Sequence, residues 1–115
     1  MHNAISFKDP SSLLNERRDV IEAVMAQYLA SAHQGSATDE ERSAAHHLVG
    51  LLIARLDGET SRLPLDPMSV RRHASRFGDG LVPILKDVFG TEVDDAFFVR
   101  CGDCYWKAVL AEYFH

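Results

Sequence analysis

From Thr91 to His115 the chain runs without a proline, and its apolar residues are not confined to one side of a helix. Thr91-Glu92-Val93-Asp94 reads as a helix start, a hydroxyl cap with an acid three residues on. Phe97, Cys101, Cys104, Ala108 and Ala111 then recur at steps of four and three, which is one apolar stripe. Val99, Gly102, Trp106, Val109 and Tyr113 make a second, with Phe98, Tyr105 and Leu110 in between. A helix that is apolar nearly all round must be covered from more than one side. The rest of the chain is therefore read first as its cover.

Upstream, Asp9-Pro10 is an N-cap followed by proline at the first helical position, and Leu13, Val20, Ile21, Val24, Tyr28 and Ala32 trace one stripe up to Gly35. Thr38 and Glu41 form a capping box, opening a helix through Ala45, Leu48, Val49, Leu52 and Leu56 that stops at Asp57-Gly58. A linker, Glu59 to Leu65, precedes a second cap-plus-proline start at Asp66-Pro67. Val70, Ala74 and Phe77 face inward from a short third helix, which Gly78-Asp79-Gly80 is expected to break. Leu81 to Phe89 is a short apolar fourth helix with Pro83 in its first turn, closed by Gly90. Met1 to Lys8 has no helical period and reads as an extended arm. The expected fold is all-α, a compact bundle of about five helices in one domain spanning residues 1 to 115.

Composition narrows the function classes. An apolar fraction of 46% with 25% charged residues is that of a globular chain, and the longest apolar run, Leu48 to Ala54, is too short to span a bilayer. Lys8, Asp9 and Glu16-Arg17-Arg18-Asp19 leave no room for a signal-peptide core, so the expectation is a cytoplasmic protein without membrane association and with reduced thiols. A net charge of −5 disfavours nonspecific attraction to nucleic acid. Arginines 62, 71, 72 and 76 cluster mid-chain and acids crowd the final third, an asymmetry suited to a partner with its own charge pattern.

No constellation spells out catalysis. Cys101-Gly102-Asp103-Cys104 has redox spacing, but it falls in a helix interior, not at the helix N-terminus where the dipole activates the first thiol, and reads as packing. A zinc site would need two further ligands, and none of the histidines shows paired i, i+4 spacing. Glu40-Glu41 and Asp94-Asp95 lie in first helical turns, where the dipole favours them. No nucleophile elbow, dinucleotide loop or phosphate loop is present, and Leu81 to Phe89 is too apolar for a recognition helix. The expectation is a non-enzyme with no metal, no cofactor and no direct contact with nucleic acid.

Two resemblances bear on function. The run from Phe77 to Gly90 resembles the penultimate helix of bacterial globins, and Thr91-Glu92-Val93 with Ala96-Phe97 resembles the start of their last one. That resemblance implies a haem-binding sensor with His73 as axial ligand, the alternative reading. The whole chain is similar to the small bacterial quorum-sensing antiactivators of the QslA type, from Met1-His2-Asn3 through Phe7-Lys8-Asp9-Pro10 and His46-His47-Leu48-Val49-Gly50 to Tyr113-Phe114-His115. It implies a stoichiometric inhibitor that sequesters a LuxR-family transcription factor and blocks its dimerisation and DNA binding.

The residue reading leads to the same class. Six of the ten aromatic residues fall in the last nineteen positions. About three such rings left uncovered would bury on the order of 500 Å², about 12 kcal/mol gross, comparable with the ~4 to 15 kcal/mol cost of association. A homodimer is expected, and Phe98, Tyr105, Trp106, Val109 and Tyr113 are the candidate dimer or partner surface.

Overall fold

The computed structural model describes residues 9–33, 35–58 and 67–113, with side chains of the last segment from 71 to 111. The expected arm, Met1 to Lys8, and the linker, Glu59 to Leu65, lie outside the described residues. Among the described residues five α-helices make an all-α bundle: α1 (Pro10–Glu16), α2 (Arg18–Ala30), α3 (Asp39–Leu56), α4 (Pro67–Phe89) and α5 (Asp95–Tyr113), with a 3-10 turn, Gly90–Glu92, before α5. The number agrees with the sequence reading, but the partition does not.

The first expected helix is two. It starts at Pro10 and breaks at Arg17, whose φ of −115° and ψ of 20° leave the helical region. The break frees the Arg17 guanidinium to cross to the end of α4. There it donates to the Val88 carbonyl at 3.0 Å, pairs with Glu92 and lies 4.7 Å over the Phe89 ring. Terminal carbonyls have no partner within their own helix, so Arg17 satisfies one of them. At the end of α2 the Tyr28 carbonyl already accepts from the Ser31 hydroxyl and amide, and Arg76 adds a donor from α4, at 3.2 Å to that carbonyl and 2.6 Å to Ser31 Oγ, while stacking 4.7 Å over Tyr28. That helix ends at Ala30, short of Gly35.

The third and fourth expected helices are one, running unbroken through Gly78-Asp79-Gly80 and past Pro83. Pro83 has no N–H to give the Asp79 carbonyl, but both residues are exposed, so water can take that bond and the helix continues. The glycines serve contact with neighbours: a Cβ on Gly80 would meet the Tyr28 ring at 2.5 Å, and one on Gly78 would overlap the Trp106 ring. The last helix also starts later than expected. Asp94, not Thr91, caps it, with Oδ1 accepting from the Phe97 amide at 3.2 Å after Gly90 reverses the chain at φ 56°.

The capping box of α3 is present as read: Thr38 Oγ1 accepts from the Glu41 amide at 3.1 Å and the Glu41 carboxylate accepts from the Thr38 amide at 2.9 Å. It is α3, more than α5, that sits at the centre, because it packs on α1, α2, α4 and α5. Ala45, Leu48, Val49 and Leu52 on α3 meet Ile21 and Met25 of α2, and Phe77, Leu81 and Leu85 of α4, in one buried cluster.

Candidate functional site

The structure corrects the picture of a last helix left uncovered. Phe98 is 4% exposed, and Tyr105 and Val109 are fully buried within the chain. Tyr105 donates its hydroxyl to the Ala74 carbonyl at 2.7 Å and stacks on Phe77 with ring centres 4.9 Å apart. Trp106 is half-buried, edge-on to Tyr105 and laid across Gly78. Tyr113 ends α5, and its side chain lies outside the described residues. The cause is α4. As one helix of 23 residues it runs alongside α5, and its glycine lets the large ring come close. The surface assigned to a dimer contact shrinks accordingly.

What α5 turns outward is a different set. On a helical wheel Ala96, Arg100, Asp103 and Lys107 fall together, with Val99 and Leu110 on one side and Cys104, Ala108 and Ala111 on the other. Val99 is 60% exposed and Leu110 53%. Between α5 and the C-terminal end of α3, where Arg55 projects, lies a trough of about 700 Å³. Its floor is small, made of Ala96, Cys104, Ala108 and Ala111, and Arg100, Asp103 and Lys107 stand along it. Arg100 and Lys107 make no hydrogen bond or ion pair to a described residue. Sequence reasoning missed this face because Cys104, Ala108 and Ala111 fit the core stripe. The signal available was Arg100, Asp103 and Lys107, a polar set at steps of three and four within that apolar helix.

The thiols are not activated. Burial, with the neighbouring Cys104, pushes Cys101 up to about 12, and burial also raises Cys104. Both are free cysteines, Cys101 in the core and Cys104 on the trough floor.

Much of the remaining charge is engaged between helices. His33 lies 2.9 Å from Glu41, His46 3.0 Å from Glu22, and His73 Nε2 2.9 Å from Glu40, which Arg72 also reaches at 3.1 Å. The His73 hydrogen bond, opposed by desolvation and helped by the charge of Arg72, holds Glu40 below its ordinary 4.5. The His73 ring nitrogen that the globin resemblance would give to a haem iron is therefore held by α3, and the residue does not line the trough. Arg72 and Arg76 of the basic cluster are engaged inside the fold, whereas Arg62 lies outside the described residues. Among the described residues no three His, Cys, Asp or Glu side chains converge as a metal cage, and no helix is long and apolar enough to cross a membrane.

Fold and surface together define a small helical bundle with a shallow, cation-edged trough along its last helix. Comparison with protein-family models, with curated proteins and with solved structures returned no match to this chain.

Proposed function

We propose that this chain is a non-enzymatic regulatory protein that acts in the cytoplasm by stoichiometric binding of another protein along the outer face of α5. The observation that carries the reading is the trough itself. About 700 Å³ of concave surface with a small apolar floor lies beside an exposed Val99 and Leu110, whereas the other described large apolar side chains are mostly buried, Val20 and Val24 on α2 excepted. Exposed apolar surface edged by charge is what a protein contact uses. The resemblance of the whole chain to quorum-sensing antiactivators supplies the partner class, a LuxR-family transcription factor whose dimerisation the complex would block.

The test is co-expression with a LuxR-type activator and its reporter, followed by size-exclusion chromatography of the purified pair. The expected result is an equimolar complex of chains and a silenced reporter. Val99→Glu with Leu110→Glu should weaken the complex at least about tenfold, since each buries a charge in an apolar contact. Failure of the wild-type protein to form any complex, or a complex indifferent to both substitutions, would overturn the reading.

A further inference from the structure

We infer that the element seated in the α5 trough is an acidic amphipathic α-helix of about four turns, presented by the partner. This rests on the binding reading and adds the chemistry of the occupant. Three observations select it, and the first is length. The trough runs from Ala96 to Ala111 along α5, about 22 Å at 1.5 Å per residue, which matches a helix of about fifteen residues. The second is depth. Cys104, Ala108 and Ala111 present small side chains beside the end of α3, and such a floor lets a second helix approach to the usual interaxial distance of about 8 to 10 Å.

The third is charge. The chain carries −5 overall, yet Arg100 and Lys107 stand on the trough with only Asp103 between them and no ion-pair partner among the described residues. They lie two turns apart on one face, so acids seven residues apart on an incoming helix meet both. A second copy of this chain is the poorer occupant. An antiparallel two-fold pairing of α5 with itself, centred between Asp103 and Cys104, sets the Arg100 position of one copy opposite the Lys107 position of the other. Like charges facing across an interface select against that register, and one centred on Tyr105 sets Asp103 opposite Lys107 but leaves Arg100 unmatched, whereas two acids on a partner helix meet both cations.

The experiment uses the full chain and two synthetic helical peptides of about sixteen residues that share a Leu/Ala apolar face. One carries Glu at two flanking positions seven apart, the other Lys at the same positions. Fluorescence anisotropy should show the Glu peptide binding at least about tenfold more tightly than the Lys peptide, with an affinity that falls as salt rises. Arg100→Glu with Lys107→Glu should reverse the preference while leaving the far-ultraviolet circular dichroism unchanged, which separates lost charge from lost fold. Equal binding of both peptides, or a preference indifferent to the charge reversal, overturns the inference. So does a dimer of the free chain that Val99→Glu dissolves, because the trough would then belong to a second copy. If the transcription factor binds and neither peptide does, the helix inference fails while stoichiometric binding stands. If the Glu peptide binds and the factor does not, the inference stands and the partner assignment falls.

Discussion

A single methyl group reports how closely the helices approach. A Cβ on Gly80 would lie 2.5 Å from the Tyr28 ring, which cannot yield freely because Arg76 stacks on it and bonds the Tyr28 carbonyl. Alanine would gain about 1 kcal/mol in helix propensity and lose about 1 to 3 kcal/mol to overpacking, so Gly80→Ala should destabilise the fold by up to about 2 kcal/mol. Gly102 is the control within α5. Its Cβ would sit 3.3 Å from a methyl of the half-buried Val82, a contact that a small shift relieves. Gly102→Ala should therefore be neutral or stabilising by up to about 1 kcal/mol. Urea unfolding of the two variants against wild type checks both signs, and equal effects would mean that α2 and α4 are further apart than described. Nothing in the sequence distinguishes these glycines, since each lies between an aspartate and an apolar residue, and only the side chain opposite, a ring for Gly80 and a methyl for Gly102, decides its role.

At the scale of elements, Pro83 separates one long α4 from two short helices. In a first turn a proline loses no bond, and replacing it changes little. In the interior of Pro67–Phe89 it leaves the Asp79 carbonyl without its helical donor, so Pro83→Ala should restore that bond and stabilise by about 1 to 3 kcal/mol. A change within a few tenths of a kcal/mol in urea unfolding would favour a break at Gly78-Asp79-Gly80. Some helix starts and stops were legible from local chemistry, namely the Thr38-Glu41 box, proline after Asp9, and glycine at positions 58 and 90 with φ of 86° and 56°, whereas Gly35, Thr91 and Gly78-Asp79-Gly80 gave local signals that the fold overrides. The break at Arg17 and the continuity of α4 were not legible, because both are decided by partners distant in sequence, Val88 and Glu92 for the first, Tyr28 and Trp106 for the second. For the same reason the apolar character of α5 was readable, but not which of its faces α4 covers. Phe98, Tyr105 and Val109 went inward, and the face left outside is the one carrying Arg100 and Lys107.

At the scale of the whole molecule, α3 is fastened to its surroundings by carboxylates whose charge the fold favours. Burial pushes Glu41 up, but the Thr38 amide, His33 and the Thr38 hydroxyl together hold it below its ordinary 4.5. Glu40 is lowered by His73 and Arg72, and Glu92 by the hydrogen bond from Arg17 at the junction of α1 and α2. In each case the folded value lies below the unfolded one. Between the two, the unfolded chain binds more protons than the folded chain, so stability rises with pH through that window. Stability from these groups is thus fully present above about pH 4.5 and is lost as pH falls through the depressed folded values. Urea midpoints measured from pH 7 down to pH 3 should therefore fall steeply at the acid end. Glu40→Gln with Glu41→Gln isolates the cause, because glutamine keeps the reciprocal hydrogen bond of the capping box while removing the titrating charge. In that variant the acid limb should be shallower, because the neutral-pH midpoint falls while the midpoint near the acid end, where the wild-type carboxylates are protonated too, changes less. An acid limb as steep as wild type would place the proton-sensitive contacts elsewhere, and would leave α3 held to its neighbours by its buried Leu48, Val49 and Leu52 and not by its charged ends.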